Sequence, residues 1–530
     1  MPYSMLSMSR VRERFVGRLS AAVVVASITP VAALAAALPA PPQTFDSSYV
    51  APTGAKLVVA AGGSLQAALD KAQPGDTIVL QAGATFRGPF RLPNKTAGTG
   101  WIYVVSSHLA NLPPPGTRVT PANAAYMPRI EAPNGLNALS TVANSHHFRF
   151  VGIEFAPAPA TTQIYAVVAI GGSDTSPATL AHHIVFDRCY VHGNPNSNDR
   201  RGIEMDGAYV AVVDSYISGF QDASAGADSQ GLGAFNTTGP LQIRNNYIEA
   251  ATENVMFGGA DSRSAALVPT SIEIRNNHFF KPLSLISSST YAVKNLLEFK
   301  TARRVWVTGN TFENNPLKSQ AGFALLITPR NAGKAPWSVT SDIAIVGNTF
   351  INVGSGFNIA GMNDANLPPT LMTERILIRD NVVGVTGLNG AAGRAFQFLN
   401  GGDNYIVDHN TINNTALTPI STVVAVGTDR KISNFVFTNN LSTHTAYGFF
   451  GSGVGEGTRA LNADFTYWTF SRNVIVGRPA TYYPAGNLFP ANVAAVGFVN
   501  YAGGNYALAA NSPYKNAGTD GTDVGANTLP

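Results

Sequence analysis

Glu298, Lys300 and Arg330 bring a carboxylate and two cations together in a pattern suited to carbon-acid chemistry. In NLLEFKTA, alternation turns Leu297 and Phe299 inward and puts Glu298 and Lys300 on the opposite face. FALLITPRN presents Thr328 and Arg330 one repeat later. At a uronic acid, one cation would neutralise the carboxylate and the enolate formed from it. The other, in its neutral form, would take the C5 proton, giving β-elimination. The same residues also fit a salt-bridged outer face with no chemistry and little energetic weight.

A second cluster lies upstream. In RGIEMDGA, Glu204 and Asp206 alternate with Ile203 and Met205, which places two carboxylates on one face about 6.5 to 7 Å apart. That separation falls between the retaining and inverting arrangements of glycosidases, so it selects neither. Asp228 and Gln230 open the following repeat, and Glu253, Asp261 and Arg263 belong to the one after. Such acids suit a hydrolase, or they could hold Ca²⁺, which takes several oxygen ligands; solvated loop charges are the plainer alternative. His278 and Lys281, in NNHFFKP, could add an acid or base to substrate binding. Trp337, after a loop rich in Gly, Lys and Pro, could form a groove wall for sugar stacking.

No HExxH or comparable ligand spacing occurs, so no metal site is expected. His146-His147 and His182-His183 recur at strand starts and read as a structural stack. Cys189 is the single cysteine, which excludes an internal disulfide and reads as a small buried residue at a bend.

These side chains are positioned by a repeat. Asn246, Asn277, Asn310, Asn348, Asn381, Asn410, Asn440 and Asn473 each sit in a copy of one pattern, from IRNNYI to FSRNVI. The mean spacing is about 32 residues, within the range of solenoids. Each Asn follows an alternating apolar strand. Asn tolerates left-handed backbone at a bend, and stacked amides would form an internal ladder. Between the copies run further apolar strands, such as GIEMDGA, NVMFGG and GFNIAGMND, with no helical period linking them. Strands must then pair with their equivalents one coil on, about 4.8 Å away, as in a single-stranded right-handed parallel β-helix. Leucine-rich repeats and propellers lack their signatures here.

Ser64 begins SLQAALDKA, whose Leu65, Ala68, Leu69 and Ala72 share one helical face, and Pro74-Gly75-Asp76 ends it. This helix is expected to cover the open N-terminal end, where a bare coil would expose its core and strand edges. Residues 1–40 read as a signal peptide, with Arg10, Arg12, Arg14 and Arg18 before an alanine-rich apolar run and small residues at Ala35, Ala37 and Ala40. The expected organisation continues with a Pro-rich linker at 41–60, a cap and first coils at 61–145, repeats at 146–480 and a C-terminal cap at 481–530. Composition is 45% hydrophobic and only 12% charged, which excludes disorder. Without the four n-region arginines and Glu13, the net charge of +4 falls to about +1. That leaves no global charge for nucleic acid. A secreted or periplasmic monomer is expected, free of the membrane once the signal is cleaved.

The I-x-N-N-x-F/I coils, the SPYKNAGTDGTDVGAN ending and the opening SLQAALDKAQPGDTIVLQAGATFRG resemble the pectate-lyase-like superfamily of secreted right-handed parallel β-helix proteins. The opening is similar to that of alginate-lyase and chondroitinase-B type polysaccharide lyases. The resemblance covers nearly the whole mature chain. It implies an exported protein acting on a polysaccharide along one side of the solenoid. The paired polygalacturonase elements are absent. The VDHN of Val407 to Asn410 is similar to a pectate-lyase phrase, yet its Asn belongs to the ladder. No family catalytic residue therefore carries over. Cleavage of an acidic polysaccharide by β-elimination is the expectation, with hydrolysis, or glycan binding and adhesion without turnover, as alternatives.

Overall fold

Among the described residues strands pair with their equivalents one coil on, and three long parallel sheets result. A computed structural model describes residues 36–527, apart from 99, 225, 226, 365, 428 and 444. The signal segment lies almost wholly outside these residues. Sheet I has fourteen strands, from Lys56–Val59 to Phe465–Ser471, all paired in parallel. Sheets II and III have thirteen each, and only the last pair of sheet III is antiparallel. One coil runs from sheet I through a tight corner to sheet II, on to sheet III, and back to sheet I: His182–Asp187, Tyr190–His192, Arg201–Asp206, Ala208–Val213. The chain is a parallel β-helix.

Period-two alternation makes these strands, because every second side chain enters a core shared by all coils. Sheet III keeps Ile203, Leu232, Val255, Leu297, Leu325 and Phe357 in register, and all six are buried in one cluster. In-register packing also stacks like upon like. Phe279, Phe312 and Phe350 lie 4.6 and 4.7 Å apart, the spacing of adjacent coils.

The asparagine ladder occupies the corner from sheet I to sheet II. From Asn277 onward each amide oxygen accepts both the backbone N–H and the side-chain N–H of the preceding ladder Asn, and each amide nitrogen also donates to a carbonyl of a neighbouring coil. For Asn348, the oxygen receives Asn310 N and Nδ2, both at 2.9 Å, and Nδ2 reaches Asn381 Oδ1 and Val307 O, also at 2.9 Å. The ladder extends beyond the eight copies. Asn487 receives Asn473, and upstream Ser215 and Cys189 hold the equivalent places. Burial pushes the Cys189 thiol up to about 12, as befits an inert core residue. One expectation is corrected. The left-handed backbone falls on the residue before each ladder Asn, as at Asn245, Asn276, Asp380 and His409, so the ladder Asn is kept for its amide.

The N-terminal helix spans Leu65–Lys71, with Ser64 accepting from Ala67 N at 3.2 Å and Leu65, Ala68 and Leu69 buried. The linker expectation is corrected. Lys56–Val59 already belongs to sheet I, and residues 37–49 form a strap down that sheet's outer face. Proline supplies no N–H, so the strap binds through its remaining donors. Ala37 N reaches Asn404, Ala40 N reaches Asp342 and Gln43 N reaches Ser271, at 2.9, 2.9 and 3.0 Å. The C-terminal segment also lies along coils: Gly525 N donates to Asn439 O and Asn527 N to Asp380.

Candidate functional site

Sheet III carries the ionisable cluster. On the side of the sheet away from the shared core a row runs Glu204, Gly233, Met256, Glu298 and Leu326, one residue per coil, because register is kept between successive strands, and all five are buried. A parallel row runs Arg201, Gln230 and Glu253. Four successive coils thus bring Glu204, Asp206, Gln230, Glu253, Glu298 and Lys300 onto one face.

Polar contacts join the two rows. Arg201 donates to Glu204 at 3.0 Å and to Gln230 Oε1 at 2.8 Å, and Gln230 Nε2 donates to Glu253 at 3.2 Å. Burial works against the Arg201 charge, but Glu204, Tyr165 and Asp206 outweigh it and hold its pKa above the ordinary value. Lys294 lies against Asp228 and 3.5 Å from Glu253. Lys300 Nζ sits 3.4 Å from Glu298, whose other oxygen receives Asn295 at 3.1 Å.

Two carboxyls in this cluster are pushed towards neutrality. Asp206 is fully buried, and burial first, then Glu204, raises it to about 8. Its Oδ1 accepts Phe235 N and Asn236 N at 2.7 and 2.9 Å, while Oδ2 has no partner. Burial, followed by Glu298 and Asp228, raises Glu253 to about 7. Glu204 and Asp206 converge beside Gly172, in left-handed backbone. A Cβ there would lie 2.8 Å from Glu204 Oε1 and 3.8 Å from Asp206 Oδ2, so the missing side chain leaves room between the acids.

Arg330 is exposed at the edge of this face. Its backbone N–H bonds Lys300 O at 2.9 Å, which fixes it one coil beyond the Glu298–Lys300 pair. Among the described residues its guanidinium makes no hydrogen bond or ion pair. Arg263 is also exposed, and its Nε reaches Gly172 O at 3.4 Å, beside the paired acids. Tyr165, about half exposed, lies under the guanidinium groups of Arg200 and Arg201, each 5.3 Å from its ring centre.

Several candidates have other duties. Asp261 clasps the loop before Trp337, accepting Ala332 N and Lys334 N at 2.8 Å each. Trp337 is half-buried, and its indole donates to Ser262 at 2.9 Å. Gln230 is a buried bridge, and Asp228 is paired with Lys294. His278 lies on sheet II, 2.8 Å from Glu313, and so is separate from this face. Lys281 is buried rather than presented to a substrate. Its Nζ donates to Ala250 O, Ala251 O, Thr252 O and Asn254 Oδ1 at 2.8 to 3.1 Å, immediately before the Glu253 strand. Burial draws its pKa down to about 7, against Glu253 and Glu249.

Arg201, Lys294 and Tyr165 escaped the sequence reading. Arg201 opens the same strand as Glu204 and was detectable by its spacing. Lys294 and Tyr165 come from irregular segments with no period to place them.

No protein-family model matches the chain, and no curated protein matches it. Solved structures similar to it include an alginate lyase from Paenibacillus sp. str. FPU-7, at 13% identity over 76% of this chain and 97% of that one, TM-score 0.35. The pectate lyase Pel9A is 14% identical over 90% of this chain and 97% of that chain, TM-score 0.31. The PL6 family alginate lyase AlyGC, as a mutant, is 14% identical over 90% of this chain and 59% of the other, TM-score 0.45. The resemblance of the coils is met at the level of fold, where the sheet register already establishes the parallel β-helix. The chemistry rests on the site itself.

Proposed function

We propose that this protein is a carbohydrate-active enzyme that cleaves an acidic polysaccharide by β-elimination on the outer face of sheet III. The observation that carries the reading is the guanidinium of Arg330, unpaired among the described residues and one coil beyond the Glu298–Lys300 pair. Arg330 would bind the uronate carboxylate and stabilise the enolate. Lys300 would take the C5 proton, and C4=C5 would form as the C4–O bond breaks. The new ammonium would return its proton to the departing oxygen. Glu298 would position Lys300, and Arg263 and Tyr165 would contact neighbouring sugars. The polymer would lie across the coils, and the protein would act as an exported monomer. Acids not held by cations could recruit Ca²⁺, which chelation during assay would reveal.

A second reading has its own observation. Asp206, its carboxyl pushed towards neutrality by burial beside Glu204 and next to the space left by Gly172, would serve as the acid of a glycoside hydrolase. Incubation with alginate, pectate and glycosaminoglycans separates the two. Elimination gives a double bond conjugated to a carboxylate, which absorbs in the ultraviolet and is lost in Lys300→Ala and Arg330→Ala. Reducing ends without that absorbance, abolished by Asp206→Asn, would replace elimination with hydrolysis. Binding of glycans with no turnover would reject both.

A further inference from the structure

Two histidine pairs on sheet I form a cluster that the proposed chemistry on sheet III does not use. Strand His146–Val151 pairs in parallel with His182–Asp187, with His146 opposite His182. His147 and His183 have φ of 58° and 55°. Consecutive side chains of a regular strand point to opposite faces, but this left-handed residue brings both members of each pair to one side. Within each pair the two Nδ1 atoms are 2.8 Å apart. Between coils the rings stack, His146 on His182 at 5.0 Å and His147 on His183 at 4.5 Å. Ring nitrogens of His147, His182 and His183 all lie within 4.8 Å of one another.

The tautomer of His146 is set by its surroundings. Its Nε2 is 2.8 Å from the carbonyl oxygen of Lys95, which can only accept. Nε2 therefore carries the proton, and the Nδ1 lone pair faces His147. A backbone carbonyl that orients an imidazole in this way is the usual outer support of a metal-binding histidine.

We propose that this cluster binds a divalent transition metal of tetragonal preference, Cu²⁺ or Ni²⁺, and ties the two coils together. With metal–nitrogen bonds of about 2.1 Å, donors 2.8 Å apart subtend about 84° at the ion, nearer the right angle of a tetragonal site than a tetrahedral angle. Ring nitrogens from both coils lie within 4.8 Å of one another, and rotation about the terminal side-chain torsion, which is broad for histidine, turns them towards one ion.

The test uses the untagged protein, titrated with Cu²⁺ and Ni²⁺ by calorimetry and tryptophan fluorescence. Trp101 lies 5.3 Å from the His147 ring and 6.2 Å from that of His183, so a bound paramagnetic ion should quench it. The double variant His147→Phe/His183→Phe keeps the ring stack and removes two donors. We expect one equivalent bound by the wild type, nitrogen coupling in the Cu²⁺ electron paramagnetic resonance spectrum, a raised melting temperature, and affinity reduced about tenfold or more in the variant. Should the variant fail to fold, the wild-type nitrogen coupling together with Trp101 quenching decides the matter. Absence of binding, binding unchanged in the folded variant, or a bound ion that neither couples to imidazole nitrogen nor quenches Trp101 would overturn the proposal and leave an imidazole stack.

Discussion

Replacing Asn348 by alanine tests the ladder at its centre. Asn348 is 1% exposed, so water cannot take the place of its amide. The substitution leaves Asn310 N–H without its 2.9 Å acceptor and removes the 2.9 Å donor to Val307 O. Asn310 Nδ2 keeps Ile274 O and Thr308 O, and Asn381 Oδ1 keeps Asn348 N–H, so the loss centres on two backbone groups. At about 1 to 3 kcal/mol for each buried group left unpaired, the cost is about 2 to 6 kcal/mol. Asn487→Ala is the control. It ends the ladder, and the half-buried Asn487 can be replaced by solvent, so its loss should be below about 1 kcal/mol. Urea unfolding reads both, and amide exchange at Asn310 should accelerate only in Asn348→Ala. Equal losses in the two variants, or a change within about 0.5 kcal/mol for Asn348→Ala, would refute the view that buried amides hold this corner.

Three more outcomes follow from named contacts. Asp206 binds its proton in the fold up to about pH 8 but releases it near 3.8 when unfolded, so its stabilising contribution is complete below the lower value and lost as pH rises through the upper one. Asp206→Asn keeps an oxygen for Phe235 N and Asn236 N; relative to it the wild type should lose up to about 1.4 kcal/mol per pH unit between 4 and 8, and thermal melts across that range will show the slope or its absence. Lys281→Met strands four acceptors and should cost at least about 3 kcal/mol by urea unfolding, a loss that a surface lysine would not cause. Deleting residues 36–48 removes Phe45 from its packing against Val185, Ala211 and Val213, and removes the two carbonyls that receive Arg149. Melting temperature should fall while kcat on any confirmed substrate holds, because the strap lies on sheet I and the cluster on sheet III.

Fold was legible because it repeats. Eight asparagines at a mean spacing of about 32 residues, each after an alternating strand, are the amides that hydrogen-bond from coil to coil, and alternation alone put Glu298 and Lys300 on one face. What repetition did not encode was harder to read. The strap of residues 37–49 looks like a linker because proline hides its contacts, most of them made with side chains far along the sequence. Lys281 reads as an acid or base for substrate binding, since sequence does not reveal four backbone and amide acceptors around it. Asp261 and Trp337 belong to a loop whose clasp depends on another coil. The left-handed residue before each ladder position varies among Asn, Asp, Gly, His and Arg, so no single type marked it.

The central claim is that sheet III cleaves an acidic polysaccharide with Lys300 and Arg330. Its most direct test is ultraviolet absorbance during digestion of a panel of uronate polymers by wild type, Lys300→Ala and Arg330→Ala, with folding checked by circular dichroism. The account predicts product from at least one polymer with the wild type and loss of about a hundredfold or more in each folded variant. Undiminished activity in both variants, or no unsaturated product from any polymer, would contradict it.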